Sequence, residues 1–226
     1  MIGPKFATTH YFHPNRLLAA DKAHQAPHVV NMYLDYNCRF SAKLFLKLQP
    51  TVIPKLEEKH PNKFQFVFVN VVQPWHPCSV LLHEFSLVIA QLLNESKSDN
   101  VDTNRLFWDV SRVIFENKEE FFDSAVVDMG RNETYKHISS IVFSQVDLPF
   151  SEQEVLGRLS IKKQVGKEHS VNCGNAATND LKYFTKYLRG VGIHVTPTVS
   201  IDGIVNDSIS SGLEPDELVS VFEKSL

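Results

Sequence analysis

Cys38 and Ser41 stand at the spacing at which two cysteines would make a dithiol redox site. They lie in V-V-N-M-Y-L-D-Y-N-C-R-F-S-A-K-L-F, residues 29–45, where an apolar run meets an acid, a thiol and then a helix-like pattern. A single thiolate can attack a disulfide and hold the product as a mixed disulfide. Without a resolving thiol at position 41, Cys38 cannot re-form a local disulfide. The chemistry left to it is glutathione-linked reduction, disulfide isomerisation or client capture. The mixed disulfide would then be resolved by glutathione, by a client thiol or by Cys78.

Cys78 closes Gln73-Pro74-Trp75-His76-Pro77-Cys78-Ser79. Within it His76 is a candidate general base for a thiol, and Trp75 a candidate pocket wall. The same residues read equally as a proline-rich bend with a packed Trp and a helix-start cysteine. A direct Cys38–Cys78 disulfide rests on no spacing rule. Cys173, in the turn-like Asn172-Cys173-Gly174-Asn175, reads as a bystander. His10 and His13 have no carboxylate or thiol beside them and read as surface residues. With no HExxH and no paired CxxC, no zinc site is expected. Gly-rich nucleotide and Walker patterns are also missing.

Composition narrows the class. The 226 residues are 43% apolar and 22% charged, which suits a globular chain with a sizeable core. A net charge of −3 gives no electrostatic reason to expect nucleic acid or an anionic membrane surface as partner. Sixteen Phe point to a Phe-rich core. No run approaches the ~18 apolar residues of a membrane span. The N-terminal residues lack the layout of a secretory signal, and three widely spaced cysteines fit a reducing compartment. A cytoplasmic location is therefore favoured, with the secretory pathway open if a signal peptide has been removed. The sequons at Asn94, Asn132 and Asn206 do not override that.

The elements that must position these residues follow from periodicity. Residues 1–27 read as an irregular arm. His28 to Tyr33 reads as a buried strand, Ser41 to His60 as a helix divided by Pro50 and Pro54, and Phe64 to Val72 as a second strand. Helices follow at 79–93, from a cap at Asp102 or Thr103 to about 115, and at 117–127 as helix or turn. Another is expected at 133–143 behind an Asn132 cap. A capping box opens one at Ser151, and the last of the run spans 180–189, ending at Gly190 and Gly192. Thr198 to Ile201 and Ile204-Val205 flank Asp202-Gly203, a hairpin signal, and Leu213 to Ser225 closes the chain as a helix.

The order β-α-β, several helices, then β-β-α resembles the thioredoxin fold with an all-helical insertion. That is the DsbA-like branch, which includes the kappa-class glutathione transferases. Two segments carry the likeness. Asp35-Tyr36-Asn37-Cys38-Arg39-Phe40-Ser41 resembles D-[FY]-x-C-P-x-C, and Val195-Thr196-Pro197-Thr198 resembles the cis-proline loop. The tetrapeptide C-R-F-S also resembles that of an endoplasmic-reticulum member of the protein disulfide isomerase family. Arg39 and Ser41 depart from the main pattern.

The resemblance implies an α/β thioredoxin-like domain over 28–73 and 191–226, with a helical insertion over 74–190. It places Cys38 at a helix N-terminus that favours a thiolate, with Arg39 as a nearby charge and Ser41 Oγ as hydrogen-bond partner of the sulfur. Thr196 and Pro197 become the docking loop, although Pro197 also reads as a strand-start proline in trans. Arg39, Phe40, Trp75 and His76 complete the candidate substrate surface. The implied activity is monothiol exchange with protein thiols or disulfides, with no tightly bound cofactor and glutathione as a candidate cosubstrate. Two alternatives remain: a redox-inactive binding protein, and a kappa-like glutathione transferase or isomerase in which Ser41 or Cys38 polarises the thiol of bound glutathione. Neither substrate nor oligomeric state is legible.

Overall fold

The computed structural model describes residues 2–13, 26–96, 101–161, 172 and 174–226. Cys173 lies outside the described residues, as do residues 1 and 14–25 of the stretch read as an arm. Strand β1 (His28–Leu34) is central in a four-stranded sheet of order β2-β1-β3-β4. It pairs in parallel with β2 (Phe64–Asn70) and antiparallel with β3 (Thr198–Ile201), which forms a hairpin with β4 (Ile204–Val205). Every residue of β2 is buried, as expected of a strand covered on both faces. Asp202 and Gly203 turn the hairpin with φ of 53° and 88°, the positive values that a two-residue turn demands.

Helix α1 (Ala7–His10) precedes the sheet. The connection from β1 to β2 is α2 (Arg39–Lys47), a π-helical turn at Leu48–Val52, and α3 (Ile53–Lys59). Pro50 lies in that turn and Pro54 in the first turn of α3, where a missing N–H costs no helical hydrogen bond.

Among the described residues, six α-helices separate β2 from β3. They are α4 (Ser79–Glu95), α5 (Thr103–Glu116), α6 (Asp123–Val126), α7 (Arg131–Phe143), α8 (Glu152–Leu159) and α9 (Thr178–Val191). Asp102 and Ser151 cap α5 and α8 through hydrogen bonds from the Arg105 and Glu154 N–H groups, and Gly192 ends α9 at φ 70°. Helix α7 begins earlier than its expected Asn132 cap, because Glu133 reaches back to accept from the Gly130 N–H at 2.7 Å. Helix α10 (Pro215–Glu223) ends the fold.

The sheet and the inserted helices share one aromatic core. Phe45 of α2 stacks on Trp108 of α5 at 5.6 Å, and Tyr36 lies 5.2 Å from Phe68 of β2. Truncating a ring of this kind costs roughly 3–5 kcal/mol.

The first residues pack into the same core. Ile2, Phe6 and Tyr11 are buried, and Tyr11 bridges to Val67 on the outer side of β2. His10 is not the surface residue expected from sequence. It is fully buried, stacks on Phe107 at 4.3 Å, and bonds to Thr9 Oγ1 and Asn70 Oδ1. Among the described residues no helix is long and apolar enough to cross a membrane.

Candidate active site

Cys38 is the N-cap of α2, at the end of the helix whose first-turn backbone N–H groups lack helical partners. Its own N–H donates to the Asp35 carbonyl at 3.0 Å, and Ala42 N–H returns to the Cys38 carbonyl at 3.0 Å. These bonds fold the 35–38 loop tightly onto the helix. The Cys38 thiol donates to the Thr196 carbonyl oxygen, with Sγ 3.5 Å away. The Thr196–Pro197 peptide that follows is cis.

Asp35, which the motif reading left without a role, is the hub of this corner. Its carboxylate is fully buried and accepts from the Ser79 hydroxyl at 2.7 Å, the Asn37 N–H at 3.0 Å and His76 Nδ1 at 2.7 Å. His83 Nε2 stands 3.5 Å from the same carboxylate. Asn70 Nδ2 lies 2.9 Å from His83 Nδ1, and the Tyr36 N–H donates to His83 Nε2 at 3.5 Å, so the ring is held on both nitrogens. Burial alone would raise the Asp35 pKa. The hydrogen bond and charge of His83, then the hydrogen bonds from His76 and the Asn37 N–H, outweigh it and hold the carboxyl below its ordinary value.

Ser41 does not take the partner expected from its spacing. It is fully buried, and its Oγ accepts from the Asp35 N–H at 3.3 Å rather than serving the Cys38 sulfur. Both residues of the C-x-x-S segment are thus tied to the Asp35 backbone.

The remaining candidates divide among three clefts. Cys38, Arg39, Phe40 and His76 line one of about 510 Å³, closed on its far side by Phe122, Asp123 and Ser124 beside and within α6. Arg39 stacks its guanidinium on the Phe40 ring at 4.8 Å, so its charge is carried on the cleft wall. Phe40 is half exposed and also borders a second hollow with Val195 and Pro197. Trp75 is 60% exposed and faces a third cleft with Gln73, Leu188 and His194, so it does not wall the thiol. Gln73 Nε2 donates to the His194 carbonyl at 3.1 Å and to Thr196 Oγ1 at 3.4 Å, bracing the proline loop.

Cys78 is buried and free, as is Cys38. Burial, with the charges of Asp35 and Asp123, pushes the Cys78 thiol up to about 12. At neutral pH it is a protonated core residue, unsuited to attack a mixed disulfide in this conformation. Among the described residues no group of three or more His, Cys, Asp and Glu is arranged to hold a metal ion.

Neither a protein-family model nor a curated protein matches the chain. Solved structures do. A candidate protein-disulfide isomerase from Pseudomonas syringae superposes with a TM-score of 0.62 at 22% identity, over 87% of this chain and 94% of that one. This is the DsbA-like thioredoxin fold. BdbD from Bacillus subtilis shares that fold at a TM-score of 0.55 and 16% identity, over 97% of this chain and 93% of its own. So does MdbA, a thiol-disulfide oxidoreductase from Corynebacterium diphtheriae, at 0.56 and 13%, over 92% and 86%. The thioredoxin-like part of the fold supplies β1, α2 and the Thr196–Pro197 loop, and the helical insertion supplies His76, Ser79, His83 and Asp123. The sequence carries a signal for Ser79 and His83, which the motifs do not single out: with the candidate base His76 they recur at steps of three and four, a polar line leading onto a mostly apolar helix.

Proposed function

We propose that the protein performs thiol–disulfide exchange as a monothiol through Cys38. The observation that carries this reading is the placement of Cys38: a helix N-cap, facing the Thr196 carbonyl and lining an open cleft. The names of its structural neighbours, which include a thiol-disulfide oxidoreductase and a thiol-disulfide exchange protein, support the same chemistry. Cys38 attacks one sulfur of an incoming disulfide, the disulfide bond breaks, and a mixed disulfide remains on the protein.

Residue 41 is serine and Cys78 is protonated, so resolution falls to a thiol from solution or from the client. Glutathione is the small thiol that fits this part, as a cosubstrate rather than a bound cofactor. Thr196 and Pro197 dock an extended segment of the client, whose backbone pairs beside the sulfur as an added strand does. Phe40 and Val195, both exposed on either side of Pro197, contribute apolar contact to that segment.

The test is incubation with a disulfide-containing peptide, followed by acid quench and mass spectrometry. A peptide adduct on Cys38, lost in Cys38→Ser and released by reduced glutathione, supports the reading. A competing reading is a redox-inactive binding protein, favoured by the exposed Phe40, Val195, Ile204 and Val205 near the loop. It predicts that Cys38→Ala captures the same peptide as wild type, with no covalent adduct in either.

A further inference from the structure

His76 and Asp35 form a hydrogen-bonded pair at the cleft that Cys38 lines, one that thiol exchange through Cys38 does not by itself require. A carboxylate can only accept, so the 2.7 Å contact fixes the proton of His76 on Nδ1. The other ring nitrogen, Nε2, is thereby left free of Asp35 and available to the cleft that His76 shares with Cys38. The imidazole is partly exposed, with 27% of its side-chain surface open, whereas Asp35 is wholly enclosed. Asp35 is itself immobilised by Ser79, Asn37 and His83. A buried, fully engaged carboxylate holding a partly exposed imidazole on a cleft that a thiol also lines is an arrangement for moving protons, since it orients the ring and fixes which nitrogen is left to the cleft.

We infer that His76 is the proton carrier of the exchange reaction and Asp35 its positioning residue. The inference rests on the reading of Cys38 as the nucleophile. In the step, His76 Nε2 takes the proton of the Cys38 thiol as Sγ bonds to one sulfur of the substrate disulfide. The substrate S–S bond breaks, its electron pair leaves on the second sulfur, and His76 returns the proton to that sulfur. One disulfide and one thiol enter, and one disulfide and one thiol leave, so no outside oxidant or reductant is needed. The charged or titratable groups around the ring are Asp35 behind it, His83 beyond that carboxylate, and Arg39, Cys38 and Asp123 across the cleft.

The arrangement implies selectivity for disulfides whose leaving thiol is basic. An alkyl thiol, with a pKa of about 8.5, leaves poorly as a bare thiolate and gains from a proton donor. An aromatic thiol that is stable as a thiolate gains little.

The experiment measures second-order rates of wild type, His76→Gln and His76→Asn against a series of disulfides from aromatic to alkyl. Circular dichroism spectra establish that both variants are folded. The expected result is a loss of about 10²-fold with oxidised glutathione and other alkyl disulfides in both variants. Loss with the aromatic disulfide should be smaller, because there only the uptake of the Cys38 proton is lost and not the return of a proton to the leaving sulfur, so the dependence on leaving thiol steepens. A purely structural role would lower all rates together, and that outcome overturns the assignment of His76 while leaving Cys38 exchange intact. Absence of exchange in wild type with every disulfide overturns both.

Discussion

The Cys38 sulfur lies 3.5 Å from the Thr196 carbonyl oxygen, across a sequence separation of 158 residues. That contact joins the first helix turn after β1 to the loop before β3, so a ligand that reaches the thiol must also meet the Thr196–Pro197 backbone. The sheet order makes this possible, because β1 lies between β2 and β3 and brings both loops to one end.

The two described cysteines should differ sharply in reactivity. Both are buried, but Cys38 lines a cleft, whereas the Cys78 thiol is pushed up to about 12 by burial and the charges of Asp35 and Asp123. Alkylation by iodoacetamide at pH 7, followed by peptide mapping, should label Cys38 and leave Cys78 unlabelled until the protein is unfolded. Equal labelling in the native state would remove the distinction between nucleophile and core thiol.

Replacing Ser41 by cysteine should supply the missing resolving thiol. Position 41 is one helical turn from Cys38 and already tied to the same Asp35 backbone. In S41C a mixed disulfide on Cys38 should be displaced by the introduced thiol, so trapped adducts that persist in wild type should decay without added glutathione. Quenched time courses resolved by mass check this. Persistent adducts in S41C would mean that residue 41 cannot reach the sulfur.

Asp35→Ala should be among the most damaging single changes at the site. It removes the buried carboxylate that His76, Ser79, His83 and the Asn37 N–H gather around. Loss of one member of a buried ionic network costs roughly 3–5 kcal/mol, to be read from denaturant midpoints. A loss under about 1 kcal/mol, the scale of a single ordinary hydrogen bond, would show that the hub is replaceable.

Acid should destabilise the fold in two windows. Burial, countered in part by the hydrogen bond to Asn70, brings His10 down from 6.5 to about 3. The unfolded chain then binds a proton that the folded chain refuses, so stability falls as pH drops from about 6.5 toward 3, by about 1.4 kcal/mol per pH unit. Asp35 is depressed as well, so its contribution is intact above the unfolded carboxyl value of about 4 and is lost below it, as pH falls through its folded pKa. Denaturant titrations from pH 7 to 4 should show the first slope in wild type and a flatter one in His10→Gln. An unchanged slope in that variant would exclude His10 as its source.

Sequence periodicity located the frame because its signals are local. The strands at 28 and 64, the division of the first helix by Pro50 and Pro54, the caps at Asp102 and Ser151 and the Asp202-Gly203 turn each depend on neighbours within a few residues. The partners of the site are not local. Asp35 meets His76 across 41 residues and Ser79 across 44, and His10 meets Asn70 across 60. A polar residue that ends a buried strand reads as a loop acid until the inserted helix is laid against it. Burial of His10 was equally hidden, because its apolar surroundings come from β2, α5 and α9. The resemblance turns Ser41 toward the sulfur, whereas the tight 35–38 turn brings the Asp35 N–H onto its Oγ at 3.3 Å.

The most direct test of the account is the covalent state of Cys38 after exposure to oxidised glutathione, followed by acid quench and peptide mass mapping. A single glutathione adduct on Cys38, none on Cys78, and none at position 38 in Cys38→Ser is the result predicted. An unmodified Cys38 in folded protein, under conditions where the disulfide is in large excess, would contradict it.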